Sequence, residues 1–305
     1  MKCVRVLRKD AEKARKTLLA SQNISLDYKA LAGRKYVYFP VKGFVPGFLH
    51  EEKSLHKWIK VHPITVGAYD LIGDIAIFPE NVKPSLGKQL LNSSNVHVIL
   101  RQKGIHAGEY RTRNVVWVAG EKRTETVHKE NGVVMKLDVR DCYFSPRLAT
   151  ERLRIAKQVK PGEKVLVLFS GVGPYLLTIA RHSRASLIVG VEKNAIAHRY
   201  AQYNCRKFPQ VRLFHKDVRQ FSVPEKFDRV LMPLPKSAED FLDVAYKLVK
   251  KKGVIHFYDF VPEADMKKTL KKIRKKIKKF SVLSFVRCGQ YAPGRFRVCA
   301  DIRVV

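Results

Sequence analysis

The second half of the sequence alternates short apolar runs with segments that are apolar on one helical face. Residues 162–182 have the pattern of a strand, a glycine loop and a helix, and residues 186–208 repeat the strand and the helix. The pattern continues through residues 211–260. Strands that alternate with helices form a parallel sheet that helices cover on both faces. We therefore predict a Rossmann-like α/β domain over residues 146–305, beginning with an amphipathic helix at residues 146–159.

The first half of the sequence has the pattern of two smaller α+β domains. Residues 1–70 predict a strand, a surface helix and a second strand, without a catalytic constellation. Residues 71–145 predict a single strand at residues 71–78, then a helix and a strand at residues 85–102, then antiparallel strands. The turn sequences AGEK and KENG separate those strands. The predicted organisation is two small α+β domains followed by the Rossmann-like domain.

The charge balance of the sequence indicates a negatively charged partner. The 305 residues contain 60 Lys and Arg against 27 Asp and Glu, a formal net charge of +33. Such a surplus repels itself in a compact fold, and a polyanion would relieve the repulsion. Nucleic acid is the favoured partner, an anionic membrane is the alternative, and a proteome that is basic throughout would explain the charge without any partner.

The cysteines and the apolar stretches exclude other classes. The five cysteines form no CxxC pair and no Cys/His cluster with zinc-finger spacing, so we expect reduced thiols and no structural metal. The first residues lack the apolar core of a signal peptide, and no apolar stretch is long enough to span a bilayer. We expect a soluble, cytoplasmic protein that is not membrane-bound.

A glycine loop and two acids have the placement of a nucleoside-cofactor site. Gly171 and Gly173 lie between a buried strand and a helix that begins at or after Pro174. Glu192 follows the next strand and Asp217 the one after it, where carboxylates can accept hydrogen bonds from ribose hydroxyls and an adenine amino group. Each acid alone is equally well a helix cap or a surface charge. The loop lacks the third glycine of GxGxxG, which favours S-adenosylmethionine over NAD and argues against an oxidoreductase.

Two further segments could carry chemistry. Pro233 and Pro235 stiffen a loop at a strand end, which is either a turn into a helix or a cover over the cofactor edge. Arg147 and Glu151 are four residues apart and are expected to share a helix face. They form either an ordinary surface ion pair, or a general base beside arginines that steer an RNA base. The sequence EYRTR adds Tyr110, Arg111 and Arg113 to the second possibility.

A Lys-rich segment at residues 267–280 has Leu270, Ile273 and Ile277 at helical spacing. Its basic face is either simply solvated or attracts phosphates without regard to sequence.

Four motifs together resemble the archaeal and eukaryotic tRNA (guanine-N1)-methyltransferase family, which methylates guanosine 37 on the 3′ side of the anticodon. The motifs are CYFSPRLATER, LFSGVGPYLL, DRVLMPLPKSAEDFLD and GQYAPGRFRVCADIRV. The resemblance extends over the full length, with looser matches in the first half. It implies a class I methyltransferase domain, S-adenosylmethionine as cofactor, and a tRNA bound at its anticodon loop and, by the small N-terminal domain, at its outer corner. We expect the protein to be a monomer.

The resemblance also implies roles for individual residues. Glu151 would take the guanine N1 proton, and Arg111 would hold the guanine O6 and stabilise charge that develops there. A base that is flipped out of its stack would be positioned by Tyr143, Arg147, Arg113 and Pro233. The cofactor would contact Arg152, Phe169, Gly171, Gly173, Glu192, Lys193, Asp217, Val218 and Pro233.

One position departs from the family pattern. Family members often have Asn-Leu-Pro where this sequence has Pro233-Leu234-Pro235, so the side-chain amide is missing. The sequence leaves open a related reaction, transfer of the aminocarboxypropyl group to a wyosine precursor. It also leaves open methylation of a tricyclic intermediate, and a tRNA-binding protein whose methyltransferase domain is inactive.

Overall fold

The computed structural model describes two compact units. One comprises Met1–Gly67 with Lys88–Asn95, and the other Ala68–Gly87 with Val96–Val305. The predicted boundary at residue 145 falls inside the second unit, and the division into three domains stays a prediction. The residues that the structure describes are 1–25, 28, 30–54, 69–80, 90–91, 95–104, 108–110, 112–234, 236–262, 265–292 and 294–305.

The first unit contains a four-stranded antiparallel sheet of order β2-β3-β1-β4. Leu18 of its helix is buried with Val4 and Phe39 of the sheet, which explains the apolar spacing of the helix. The predicted strand, helix and strand are all present. The elements are β1 (Lys2–Leu7), α1 (Ala11–Ala20), β2 (Leu31–Ala32), β3 (Tyr36–Pro40) and β4 (Leu49–Glu52).

The second unit begins with a four-stranded sheet of order β5-β6-β7-β8 and a hairpin of β9 and β10. The predicted single strand at residues 71–78 is wrong, because Gly73 turns the chain with a φ of +59° and makes a hairpin there. A Cβ at Gly73 would lie 2.6 Å from the Val127 carbonyl oxygen, so only glycine fits this turn. The turn at KENG is confirmed, since Asn131 and Gly132 both have positive φ. The strands are β5 (Asp70–Ile72), β6 (Ile75–Phe78), β7 (Val98–Gln102), β8 (Val115–Gly120), β9 (Glu125–Glu130) and β10 (Val133–Asp138).

The rest of the second unit is a seven-stranded sheet of order β13-β12-β11-β14-β15-β17-β16. Its first five strands are parallel, and β17 runs antiparallel between β15 and β16. The strands are β11 (Lys164–Leu168), β12 (Leu187–Glu192), β13 (Val211–His215), β14 (Phe227–Met232), β15 (Val249–Pro262), β16 (Phe280–Ala292) and β17 (Arg295–Val304). The helices are α2 (Ala149–Gln158), α3 (Pro174–His182), α4 (Ala195–Cys205), α5 (Leu242–Leu248) and α6 (Met266–Lys276).

Hydrophobic clusters lie on both faces of this sheet. Val165 and Val167 belong to one cluster, and the alternate residues Leu166 and Leu168 to the other. This explains why the central strand is continuously apolar. Ile273 and Ile277 of the Lys-rich segment are fully buried in the second cluster, so its apolar stripe is core. Among the described residues, no helix is long and apolar enough to cross a membrane.

Candidate active site

The glycine loop leaves the carboxyl end of β11 through a series of left-handed residues. Phe169, Gly171 and Gly173 have φ values of +60°, +56° and +91°. A non-glycine residue in this region is strained, and such strain is concentrated at functional sites. A Cβ on Gly173 would lie 3.2 Å from the Cys205 sulfur, so close packing against α4 adds to its need for glycine. Pro174 then starts α3, as the sequence predicts.

Glu192 ties this loop to the end of β12. Its two carboxylate oxygens accept the backbone N–H groups of Gly171 and Asn194, each at 2.7 Å. Burial raises the pKa of Glu192 above its ordinary value, and the N–H groups of Asn194 and Gly171 offset part of that rise. The carboxylate is therefore oriented by the backbone of the two turns that meet at this edge.

Asp217 continues the edge two residues after β13. It caps a 3₁₀ turn at Val218–Gln220 by accepting the Arg219 N–H at 2.9 Å, and it pairs with Lys193 at 3.0 Å. The Arg219 N–H, and then Lys193, hold the pKa of Asp217 below its ordinary value. Lys193 also contacts Glu109 at 2.7 Å, while Val218 is buried. The predicted cofactor residues from Phe169 to Val218 thus follow three adjacent parallel strands.

The polar groups and the open space at this loop fit a nucleoside cofactor. Among the described residues, the buried hydroxyl of Ser170 has no hydrogen-bond partner. A Cβ on Gly171 would meet only the Tyr143 carbonyl oxygen, at 3.8 Å, so space beside the loop is open. Open space beside the Glu192 carboxylate is what a polar ligand would occupy, and the unpaired hydroxyl of Ser170 is a further group of this loop that lacks a partner in the described part of the chain.

Glu151 lies on the first turn of α2 and is only 4% exposed. Arg154 donates to both of its oxygens, at 2.7 and 2.8 Å, and the Tyr258 hydroxyl donates to Oε1 at 2.7 Å. Burial raises the pKa of Tyr258 well above its ordinary value, so this hydroxyl stays protonated. Tyr175 in turn donates to the Tyr258 oxygen at 2.9 Å.

The predicted helix face shared by Arg147 and Glu151 is wrong. Arg147 lies in a 3₁₀ turn at Pro146–Leu148, before α2 begins, and its guanidinium contacts Asp70 at 2.8 Å. The change from 3₁₀ to α geometry removes the i, i+4 alignment. Glu151 is instead buried and pairs with Arg154. The interpretation of Arg147 and Glu151 as a surface ion pair is therefore wrong as well.

Behind Glu151 lies a buried network of charged side chains. Arg154 bridges Glu151 to Asp301 at 2.6 Å, and His256 Nδ1 donates to Asp301 at 2.6 Å. Arg229 donates to His256 Nε2 at 2.6 Å. Burial would raise the pKa of Asp301, but the bonds from His256 and Arg154 outweigh it and leave that pKa well below its ordinary value. His256, Cys299 and Asp301 lie close enough to hold a metal ion, yet both imidazole nitrogens are already engaged.

The remaining predicted site residues surround the start of α2. Arg113 is 5% exposed and pairs with Asp70 at 2.9 Å, so Asp70 joins it to the exposed Arg147. Arg152 is buried, and its Nη2 donates hydrogen bonds to Glu130 at 2.6 Å and to the Ser145 carbonyl oxygen at 3.0 Å.

Arg113 and Arg152 thus have charge partners inside the protein, and their contacts with base or cofactor stay predictions. The Tyr143 hydroxyl accepts from Arg297 at 2.9 Å. Arg111 lies outside the described residues.

Pro233 forms a tight turn directly after β14. The Leu234 N–H donates to the Met232 carbonyl oxygen at 2.8 Å, which closes a γ-turn around the proline. Proline offers no side-chain donor at this carboxyl edge. Pro235 lies outside the described residues.

Sequence reasoning missed the side chains that hold Glu151. Arg154 is only three residues away, and its spacing could have shown the pair. Tyr258, His256 and Asp301 come from β15 and β17, and the available signal was a polar residue inside an otherwise apolar strand.

The seven-stranded sheet and its cofactor edge define a class I, Rossmann-like methyltransferase domain, as the sequence predicts. The sequence profile of the TRM5/TYW2 methyltransferase domain matches residues 126–284, and that of the tRNA methyltransferase 5 N-terminal domain matches residues 3–49. The chain belongs to the TRM5/TYW2 methyltransferase family, which confirms the resemblance.

Three relatives show the extent of this similarity. The tRNA (guanine(37)-N(1))-methyltransferase Trm5b of Pyrococcus abyssi is 34% identical over 99% of this chain and 98% of its own length. The solved complex of aTrm5 and tRNALeu covers 100% of both chains, with a TM-score of 0.74 and 28% identity. The tRNA(Phe) (4-demethylwyosine(37)-C(7)) aminocarboxypropyltransferase of Pyrococcus horikoshii is 32% identical over 76% of this chain and 87% of its own length.

Proposed function

We propose that this chain is a tRNA methyltransferase that transfers a methyl group from S-adenosylmethionine to N1 of guanosine 37. The observation that carries the proposal is how much of this chain each kind of relative covers. The similarity to the guanine-N1 methyltransferase extends over 99% of the chain, whereas the aminocarboxypropyltransferase covers 76% of it. The N-terminal profile at residues 3–49 belongs to the methyltransferase comparison.

The carboxyl edge of β11, β12 and β13 would hold the cofactor. Glu192 would accept the ribose hydroxyls, Asp217 the adenine amino group, and the backbone from Phe169 to Gly173 would enclose the remainder. When bound, S-adenosylmethionine supplies an electrophilic methyl group on a sulfonium. Lys193 and Val218 would border the adenine, and Arg152, which pairs with Glu130, would contact the cofactor.

Glu151 would serve as the general base for the guanine N1 proton. A carboxylate has about four acceptor positions, and three hydrogen bonds occupy this one. Oε2 accepts only from Arg154 among the described contacts, which leaves it able to take a proton from a base. Arg154 and Tyr258 fix the orientation of the group, as a positioned base requires.

The substrate side would be formed by residues around the start of α2. Tyr143, Arg147, Arg113 and Pro233 would position the flipped base, and Arg111 would stabilise charge on O6. The first unit would contact the outer corner of the tRNA, and the net charge of +33 would attract the phosphates. We further propose a cytoplasmic monomer.

The test is mass spectrometry of nucleosides from unmodified tRNA and from wyosine-precursor tRNA after incubation with the protein and S-adenosylmethionine. One methyl group on guanosine 37, lost when that base is changed, is the expected result. An aminocarboxypropyl group on the precursor without methylguanosine would establish the related transferase instead. Tight tRNA binding without modification of either substrate would indicate a binding protein, with Pro233 as the first residue to examine.

A further inference from the structure

A cavity of about 300 Å³ lies between α4 and β10, outside the site described above. Its lining consists of basic, aromatic and aliphatic side chains: Lys136, Ile196, Arg199, Tyr200 and Tyr203. Four of these five lie on α4 at a spacing of three or four residues, and Arg206 continues the same face. The cavity is therefore one face of one helix set against one strand.

Tyr203 is an exposed aromatic residue of this cavity, with 50% of its surface accessible. The Arg206 guanidinium lies 3.8 Å from the ring centroid and the Lys136 ammonium 5.8 Å from it. Because the guanidinium covers one face of the ring, a nucleobase would stack on the other face, while the cations meet the flanking phosphates. Among the charged residues at this cavity, Glu125 pairs with Lys136 at 2.8 Å, which leaves Arg199 and Arg206 as a local positive excess.

The cavity wall is fixed rigidly to the cofactor loop by Asn204. Its side chain accepts the Lys136 N–H at 2.8 Å and donates to the Lys136 carbonyl at 2.9 Å and the Val172 carbonyl at 3.0 Å. The helix starts at the Asn194 cap beside Glu192, so Tyr203 lies about 13 Å along α4 from the cofactor edge. A short single strand of nucleic acid can span that distance.

The surface of β9 and β10 beside the cavity is also suited to contact with nucleobases. Val127 and Val134 are 47% and 53% exposed. Val127 pairs in register with Lys136, and Val134 is two residues from it, so they share its face. Exposed valines beside lysine and tyrosine extend the apolar contact area beyond the cavity.

We propose that this cavity binds a second, unstacked nucleotide of the substrate tRNA, with its base on Tyr203 and its phosphates on Arg199 and Arg206. The proposal rests on the proposed function, because it assumes that tRNA is the substrate. It assigns to the α4 face a role in holding the RNA strand near the target base, separate from catalysis.

The test compares the tRNA affinities of Tyr203→Ala and Tyr203→Phe by fluorescence anisotropy. Tyr246→Ala is the matched control, since Tyr246 is 43% exposed on α5, which packs into the cluster on the opposite face of the sheet. We expect Tyr203→Ala to weaken tRNA binding about tenfold, and the other two variants to remain within about twofold of the wild type. Arg199→Ala should reduce the salt slope of binding by about one.

Cofactor affinity and melting temperature establish that each variant is folded. Cross-linking of 4-thiouridine-substituted tRNA to the wild-type protein provides a test without any substitution, and should label residues 196–206. Wild-type tRNA affinity in Tyr203→Ala, or cross-links confined to other segments, would overturn the proposal. A Tyr203→Ala variant with normal tRNA affinity but a changed sedimentation mass would identify the face as a contact between copies, and would also overturn it.

The wild-type control separates this inference from the proposed function. A wild-type protein that neither binds nor methylates tRNA would refute the proposed function. If the wild type methylates tRNA, and Tyr203→Ala methylates and binds tRNA equally well, only the second nucleotide site would be refuted.

Discussion

The cofactor loop and the region around Glu151 each centre on a buried or half-buried carboxylate, but they hold it differently. Glu192 is held by two backbone N–H groups from turns that the chain makes at neighbouring strand ends. Glu151 is held by side chains, Arg154 from its own helix and Tyr258 from β15. Arg154 is in turn held by Asp301 of β17.

This difference has consequences for substitution. A carboxylate held by backbone amides keeps its orientation as long as the turns fold, so changing it should alter ligand affinity and little else. A carboxylate held through a chain of buried ions depends on every member of that chain. Changes behind Glu151 should therefore disturb stability or rate before they disturb cofactor binding.

The largest effect on stability is expected from Asp301→Asn. Asp301 is 1% exposed and bonded to both Arg154 and His256. Removing its charge weakens the hydrogen bonds from His256 and from the half-buried Arg154, which keeps its pair with Glu151, and should lower the free energy of unfolding by about 1–3 kcal/mol at neutral pH. Urea denaturation measures this value.

The pH dependence gives the same prediction a second readout. The folded pKa of Asp301 lies below its ordinary unfolded value of about 3.9. The stabilisation is therefore present above about pH 4 and is lost as the pH falls toward the folded pKa. The difference between wild type and variant should shrink between pH 7 and pH 3. Asp243→Asn, which breaks an exposed pair with Lys276, should lower stability by less than about 1 kcal/mol. An equal loss for both variants would contradict the network.

Glu192→Gln should weaken cofactor binding about 10- to 100-fold. The amide loses the charge that strengthens each hydrogen bond, and its NH₂ group would face a backbone N–H donor. Titration calorimetry with S-adenosylmethionine measures the change. Asp265→Asn, at the cap of α6, is the control and should leave the affinity unchanged. An unaltered affinity in Glu192→Gln would remove this residue from the cofactor site.

Tyr258→Phe should reduce the single-turnover methylation rate about tenfold while cofactor and tRNA affinities stay within about twofold. The variant removes one of the hydrogen bonds that orient Glu151. Tyr175→Phe removes the hydroxyl one step further away, and its effect on the rate should be smaller. A larger effect in Tyr175→Phe would contradict an orienting role for Tyr258.

The smallest effect is expected from Pro233→Asn, which restores the side-chain amide of the family pattern. One added hydrogen bond to base or cofactor should raise the single-turnover rate about threefold. Single-turnover assays at saturating cofactor measure this. A rate that stays the same or falls would contradict the prediction that the missing side-chain amide limits this reaction.

The same contrast explains what the sequence could predict. Gly171, Gly173, Glu192 and Asp217 follow directly from strand ends, and a parallel sheet brings its carboxyl ends to one edge whatever the tertiary details. The hairpin turn at Asn131 and Gly132 was equally local.

The contact of Glu151 with Tyr258, and its link to Asp301 through Arg154, could not be predicted, because Tyr258 and Asp301 are far from Glu151 in sequence and meet it only through strand order. The turn at Gly73 was missed for a similar reason. Its glycine is required by the approach of Val127 from another strand, which the local pattern of residues 71–78 does not contain.

The most direct test of the account is Glu151→Gln, measured in one preparation for its single-turnover methylation rate and for its cofactor affinity. We predict a rate at least about a hundredfold lower, as expected for loss of a general base, with a cofactor dissociation constant within about twofold of the wild type. A rate like that of the wild type would contradict the assignment of Glu151 as the base. A loss of rate explained entirely by lost cofactor binding would contradict the division of labour between Glu151 and Glu192.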